Sequence, residues 1–300
     1  MYHVPVMLNE CMEGLNIRPD GVYIDVTFGG GGHSRAILDR LGPDGHLYAF
    51  DQDADAAANA FDDPRFTFIP HNFRFMKNFI QLYCGKRVDG ILADLGVSSH
   101  QFDTPEKGFS TRFDGALDMR MNKNDATSAA DMVNTYDEAS LTRVLSEYGE
   151  LKNARVFARD IISERENKQI TTTFELKSAV AAHLPKGTEN KTLAQIFQAL
   201  RIEVNKEMES LEAFLQQCPD VLSGGGRLVV MSYHSLEDRL VKNYMKSGKA
   251  DGIVEQDFFG NKLTPYTMIT HKPIVPDEEE TAVNSRARSA KLRVAERRPI

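Results

Sequence analysis

Asp25-Val-Thr-Phe-Gly29-Gly30-Gly31-Gly32-His33-Ser34 is the stretch on which the fold turns. It stands where a short β-branched and aromatic run, 21–27, gives way to a helical pattern over 34–41. Glycines at such a junction let the backbone turn sharply and let a ligand lie against the peptide groups. A flexible loop or a dinucleotide fingerprint has the same look in isolation. Counted from Gly29, however, the third fingerprint glycine falls on Ser34, so the nicotinamide-type pattern is imperfect. A second run, His46-Leu-Tyr-Ala-Phe-Asp51, ends on a carboxylate about 20 residues beyond the glycines, where ribose hydroxyls can donate to it. Asp53 follows and reads as a solvated loop charge.

Working outward, further strand runs are expected at 66–69, at Val88-Asp-Gly-Ile-Leu-Ala-Asp94 and at Gly226-Arg-Leu-Val-Val-Met-Ser232. Helical patterns over 54–61 and 75–82 lie between the early runs. Short apolar strands alternating with helices predict a parallel sheet covered on both faces, an α/β architecture. After Asp103 the character changes. Residues 104–191 show helix patterns and loops without a convincing strand, including a capping box Thr172-x-x-Glu175 opening a helix that Pro185 and Gly187 close. The predicted organisation is one discontinuous domain, 1–103 and 192–300, carrying an inserted all-helical domain, 104–191. One long amphipathic helix over 193–217 leads back into the sheet, and 291–296 could form a final edge strand.

Composition narrows the classes. The 300 residues are 41% hydrophobic and 26% charged, ordinary for a globular chain. Net charge is −7, so any nucleic-acid contact must come from a local basic patch. Cys11, Cys84 and Cys218 are scattered without metal-ligand spacing, which suits a reducing compartment and predicts no metal. The start lacks the charged and apolar regions of a signal peptide, and no apolar stretch approaches the ~20 residues that span a bilayer. A cytoplasmic protein without a membrane association is expected.

Two strand ends supply chemistry. Asp94 closes a run of apolar residues at the carboxyl end of the sheet, where an unpaired charge is costly to bury. Gly96 permits a tight turn after it, and Ser98, Ser99, His100 and Gln101 add polar groups. The last strand delivers Tyr233, His234 and Ser235 to the same edge. A lone histidine is more often structural than catalytic; the cluster argues for function. Phe73, after the third strand, is either a core residue or a wall for a flat ring.

These blocks together resemble the bacterial 16S ribosomal RNA cytosine-N4 methyltransferase family. The resemblance runs nearly end to end, through His3-Val-Pro-Val, Thr27-Phe-Gly-Gly-Gly-Gly-His-Ser34, Phe50-Asp-Gln-Asp53 and Asp89-Gly-Ile-Leu-Ala-Asp-Leu-Gly-Val-Ser-Ser99. It continues through Gly108-Phe-Ser, Leu117-Asp-Met-Arg-Met121, Gln198-Ala-Leu-Arg-Ile-Glu-Val-Asn205, His234-Ser-Leu-Glu-Asp-Arg239 and Ser285-Arg-Ala-Arg-Ser-Ala-Lys-Leu-Arg293. It implies a class I Rossmann-like S-adenosylmethionine methyltransferase with a helical insert for substrate recognition. It implies S-adenosylmethionine as cofactor, contacted by Gly31, Gly32, His33, Asp51, Phe73, Asp94 and Gln101. It implies 16S ribosomal RNA within the small ribosomal subunit as substrate. Val26, Gln52 and Ala116 depart from the family's usual small residue, arginine and proline, which touches local loops only.

Asp94, or a backbone carbonyl in 95–97, is then the candidate acceptor for the amine proton, with Tyr233 and His234 holding the base. Candidate RNA contacts are Arg112, Arg120, Arg155 and Arg159, together with Arg286, Arg288, Lys291 and Arg293 of the basic tail. Residues 104–191 carry 13 Lys/Arg against 14 Asp/Glu, so the helical stretch can equally be a solvated face. Two other readings stay open on residues alone: an NAD-dependent oxidoreductase, against which Ser34 speaks, and an RNA-binding assembly factor that keeps cofactor only structurally.

Overall fold

A computed structural model describes residues 5–299. His3 and Val4 of the first resemblance block lie outside the described residues. The chain divides into two compact units, residues 1–96 with 208–300, and 97–207.

Among the described residues, the first unit is built on nine strands: β1 (Val22–Asp25), β2 (His46–Phe50), β3 (Phe66–Ile69), β4 (Val88–Asp94), β5 (Leu222–Ser232), β6 (Glu255–Gln256), β7 (Lys262–Leu263), β8 (Tyr266–Met268) and β9 (Lys291–Arg297). Seven of them form one sheet in the order β3-β2-β1-β4-β5-β9-β8; β6 and β7 make a separate hairpin. Strands β1 to β5 run parallel to one another, and β9 is antiparallel to both β5 and β8. The order reverses at β1, so β1 and β4 flank the crevice where open α/β sheets bind ligands.

Period-two burial explains why these runs are strands. Ile24, Ile91, Ala93, Leu228 and Val230 enter one core, while Tyr23, Leu92, Val229 and Met231 enter another on the opposite face. Helices α1 (Leu8–Leu15) and α2 (Gly32–Leu38) cover the second face with Cys11, Met12, Leu15, Ile37 and Leu38. The first is covered by α3 (Met76–Tyr83), and by two later helices bearing Phe214, Leu215, Val241 and Tyr244. A parallel sheet buried on both sides accounts for the near-continuous apolar character of β1 and β4. The Rossmann-like α/β class is therefore as expected.

The second unit holds α4 (Ser99–Asp103), α5 (Ala129–Thr135), α6 (Glu138–Glu147), α7 (Ala154–Asn167), α8 (Thr173–Val180) and α9 (Glu189–Asn205), with no strand assigned among its residues. Its own core runs from Phe109 through Leu141, Phe157 and Ile161 to Leu200 and Val204. The unit is wider than 104–191 because α9 gives its apolar face, Leu193, Ile196, Phe197, Leu200 and Val204, to this core. Thr172 and Glu175 cap α8 reciprocally, as the spacing predicts.

Three element expectations are corrected. The long helix over 193–217 is two helices, α9 and α10 (Glu207–Val221), because Lys206 takes a left-handed φ of 48°. The pattern over 54–61 is a 3-10 turn, Ala54–Asn59. The basic run at 291–297 is not an edge strand: β8 pairs along its outer side. Helices α11 (Ser235–Ser247) and α12 (Glu278–Val283) complete the first unit.

Candidate active site

The β1–α2 turn is shaped by its own side chains. Asp25 is 1% exposed, and its carboxylate accepts from Ser34 Oγ (2.7 Å) and from the Thr27 backbone N–H (3.0 Å). Serine at the third fingerprint position therefore has a purpose: it satisfies a buried carboxylate that a glycine would leave short of a donor. Gly31 adopts φ +77°, and a Cβ there would lie 2.9 Å from Phe61. At Gly30 a Cβ would meet nothing within 4 Å, so the turn presents bare backbone to open space.

Asp51 completes this cradle from the end of β2. One oxygen accepts from Gly29 N–H and the other from Asp53 N–H, both at 2.8 Å. Each keeps a lone pair for a further donor. Desolvation pushes its pKa up to about 6, against the downward pull of those two N–H groups. A desolvated acceptor beside a glycine turn fits the ribose of S-adenosylmethionine, with Gly31, Gly32 and Asp51 as the residues that would hold it. Phe73 packs edge-on against Phe214 at 5.5 Å, and remains half-buried, so its core role is real whatever else its ring does.

Asp94 sits at the end of β4 with 23% of its side chain exposed. Its Oδ1 accepts from the Tyr233 hydroxyl at 2.7 Å, and its backbone N–H donates to Thr27 Oγ1 at 2.7 Å. Its Oδ2 lies 3.7 Å from His33 Nδ1. The other ring nitrogen of His33 is 3.0 Å from the Val6 carbonyl. A carbonyl can only accept, so Nε2 carries a hydrogen, and Nδ1 is the ring atom turned toward Asp94. Desolvation lifts the Asp94 pKa to about 6, although the His33 ring and the Tyr233 hydroxyl pull it down. Burial and the adjacent Asp94 charge push Tyr233 well above the usual phenol range, so it is a donor here, not a base.

His234 has a visible structural task. It caps α11, its Nδ1 accepting from Glu237 N–H at 3.4 Å, while Glu237 Oε2 accepts from Tyr233 N–H at 2.9 Å. This box fixes the backbone from which the Tyr233 ring reaches Asp94. Gln101 is 5% exposed in the helical unit, and its Oε1 caps α4 through the Ser98 N–H at 3.1 Å. Asp25, Thr27 and Glu237 went unassigned by sequence reasoning. Asp25 and Thr27 lie inside the quoted stretch, but Glu237 acts through backbone groups and leaves no pattern of its own.

The arginine candidates divide. Arg120 is bound by Asp118 at 2.6 Å, and Arg155 and Arg159 share Glu138 at 2.6 and 3.1 Å. Arg293 is corrected as a solvent-facing contact: it is 4% exposed and bonded to Asp238 at 2.6 Å, clamping β9 to α11. Lys291 leans on the same carboxylate at 3.4 Å. Arg112 and Arg288 are exposed, and Arg286 half-exposed. Among the described residues, no helix is long and apolar enough to cross a membrane.

Comparison with known proteins shows the family. The model of the MraW methylase family matches residues 1–298. The chain is 58% identical over 296 residues to ribosomal RNA small subunit methyltransferase H of Flavobacterium johnsoniae, spanning 99% of this chain and 98% of that one. It is 55% identical over 297 residues to the protein of the same name from Bacteroides thetaiotaomicron, spanning 99% and 98%. A solved rRNA methylase from Streptococcus thermophilus aligns over 99% of both chains at 11% identity, with a TM-score of 0.44, too distant to bear on the site. A family match from end to end, with relatives more than half identical over their whole length, leaves no other placement: the chain belongs to the MraW methylase family.

Proposed function

We propose that the chain transfers the methyl group of S-adenosylmethionine to the exocyclic N4 of one cytidine in 16S ribosomal RNA, acting on the small ribosomal subunit in the cytoplasm. Relatives named as small-subunit ribosomal RNA methyltransferases support the substrate class. The observation that carries the chemistry is Asp94, a strand-end carboxylate bonded to Tyr233 and open to the sheet edge.

When bound, S-adenosylmethionine would supply an electrophilic methyl group, its sulfur keeping the electron pair of the methyl–sulfur bond that breaks on transfer. The acceptor amine is a poor nucleophile because its lone pair is delocalised into the ring. Asp94 accepts a hydrogen bond from the NH2, which draws the lone pair out of conjugation, and takes the proton released once the new N–C bond has formed. Tyr233 holds that carboxylate by donating to Oδ1. His33, held by the Val6 carbonyl, places its Nδ1 behind Oδ2. Gly31, Gly32, Asp51 and Phe73 are assigned to the nucleoside end of the cofactor. His234 steadies Tyr233 through the α11 cap. The helical unit, with Arg112, Arg120, Arg155 and Arg159, is assigned substrate recognition, and Arg286, Arg288 and Lys291 of the first unit are assigned RNA contacts.

The test is transfer of labelled methyl to small subunits that lack the modification, comparing the unaltered chain with Asp94→Asn. A charge-assisted hydrogen bond is worth about 1.5–3 kcal/mol, so a loss of roughly 10- to 150-fold in turnover at saturating cofactor is expected. Near-normal turnover in the variant would remove Asp94 from the acceptor role.

A further inference from the structure

Helix α11 starts directly after Tyr233 and His234 at the reactive edge and buries Val241, Tyr244 and Met245 against the sheet. Its exposed residues are Ser235, Arg239, Lys242 and Lys246, and no exposed position on it is acidic. Spacings of four, three and four put all of them on one helical face. Its acidic residues are turned away: Glu237 is buried in the cap and Asp238 is spent on Arg293 and Lys291. Neither Lys242 nor Lys246 has an ion-pair partner among the described residues. In a chain of net charge −7, a cationic row without acidic neighbours on its own face is a local exception.

The row leads to a second unusual feature. Past the α11 cap at Gly248, Lys249 pairs with Glu255, and Asn243 Nδ2 donates to the Ala250 carbonyl at 2.6 Å, tying the β6–β7 hairpin to the helix. At the hairpin tip Phe258 is 97% exposed and Phe259 85%. The turn is not loose: Asp257 accepts from the N–H groups of Phe259 and Asn261, both at 2.8 Å, and from Asn261 Nδ2. The two rings stand at 87° with centroids 5.6 Å apart. Holding two phenyl rings in water on a braced turn is unfavourable unless something covers them.

We propose that the α11 face and the Phe258–Phe259 tip form one track for a single-stranded segment of the RNA substrate, with cations following the phosphates and the rings stacking on unpaired bases. Cations arranged in a row suit a polyanion, and exposed rings on a hairpin tied to the end of the same helix suit bases, each of which offers a π-face. A protein partner would use the rings but gains nothing from the unpaired lysine row. The track begins at the edge carrying Tyr233 and Asp94, so a strand lying on it is delivered to the acceptor site. The inference rests on the RNA-methyltransferase reading above.

The test measures equilibrium binding of the full chain, with S-adenosylhomocysteine bound, to small subunits lacking the modification, across a salt series, with methyl transfer read separately. Lys242→Ala/Lys246→Ala should weaken binding about 10-fold or more near 150 mM salt, and make the log–log salt slope shallower by about 1.4, as expected for two lost phosphate contacts on a single strand. Phe258→Ala/Phe259→Ala should weaken it at least about 5-fold with the slope kept. Unchanged cofactor affinity in both variants shows that the fold is intact, the changed side chains being exposed. Binding and slope equal to the unaltered chain's in both pairs would overturn the track. Weaker binding in the lysine pair with an unchanged slope would assign the face to a ribosomal protein and overturn it as well. If the unaltered chain binds, the variants lose affinity as stated, and no methyl is transferred, the enzymatic reading fails while the track stands.

Discussion

Asp94 is held largely out of water by its neighbours and yet has to carry charge. With its folded pKa near 6 and an unfolded aspartate near 3.9, the native state binds the proton more tightly than the unfolded chain does. Its contribution to stability is therefore complete below about pH 4 and lost as pH rises through 6. Asp94→Asn removes the charge but keeps the shape, since its amide oxygen can still accept from Tyr233. Urea unfolding should find the variant more stable at pH 8 by up to about 3 kcal/mol, the gap closing toward pH 4. Equal stability at pH 8 would mean that desolvation does not set the Asp94 proton affinity. The Tyr233 hydroxyl lowers that affinity, so Tyr233→Phe should move the acid limb of the rate profile, expected near pH 6, to higher pH. A limb left in place would break the link between the two side chains. Asp51 and Asp94 were legible in the sequence because each ends an apolar run, where a carboxylate is conspicuous. Thr27 and Glu237 were not, because each works through backbone N–H groups whose positions only the folded chain defines.

At the scale of elements, the β1–α2 turn and the helix boundaries carry the instructive successes and failures. Ser34→Ala strips a hydroxyl donor from the buried Asp25 carboxylate, and should cost about 1–3 kcal/mol in chemical unfolding. A neutral result would show Thr27 alone to be a sufficient partner. Thr172→Ala removes the α8 cap and should cost about 1 kcal/mol by the same measurement. Strands β1, β2 and β4 were readable because burial on both faces makes them short apolar runs that end on or beside an aspartate. The two-residue strands β6 and β7 and the three-residue β8 carry too few residues to show a period. The α9–α10 break was invisible for a different reason: apolar spacing continues across Lys206, and only the left-handed backbone there ends the helix. That residue is neither glycine nor asparagine, the usual marks of such a stop.

For the whole molecule, the negative charge and the proposed polyanionic substrate pull against each other, so affinity must depend on where cations are placed rather than on how many there are. The sequence reading put the basic tail foremost, yet in the fold Arg293 and Arg297 bond to Asp238 and to the Pro219 carbonyl. Charge runs along the chain do not say which side chains face water, whereas helical spacing on a packed element does; α11 is the example. Subunit affinity should accordingly fall steeply between 50 and 200 mM salt, and a flat response would argue against phosphate contacts altogether. The central claim, methylation of a cytidine N4 in the small subunit, meets its most direct test in the position of the label. Unmodified small subunits are incubated with the chain and radiolabelled S-adenosylmethionine, and the RNA is then digested to nucleosides. The account predicts label on N4 of a single cytidine; label on another atom or base, or none despite bound cofactor, would contradict it.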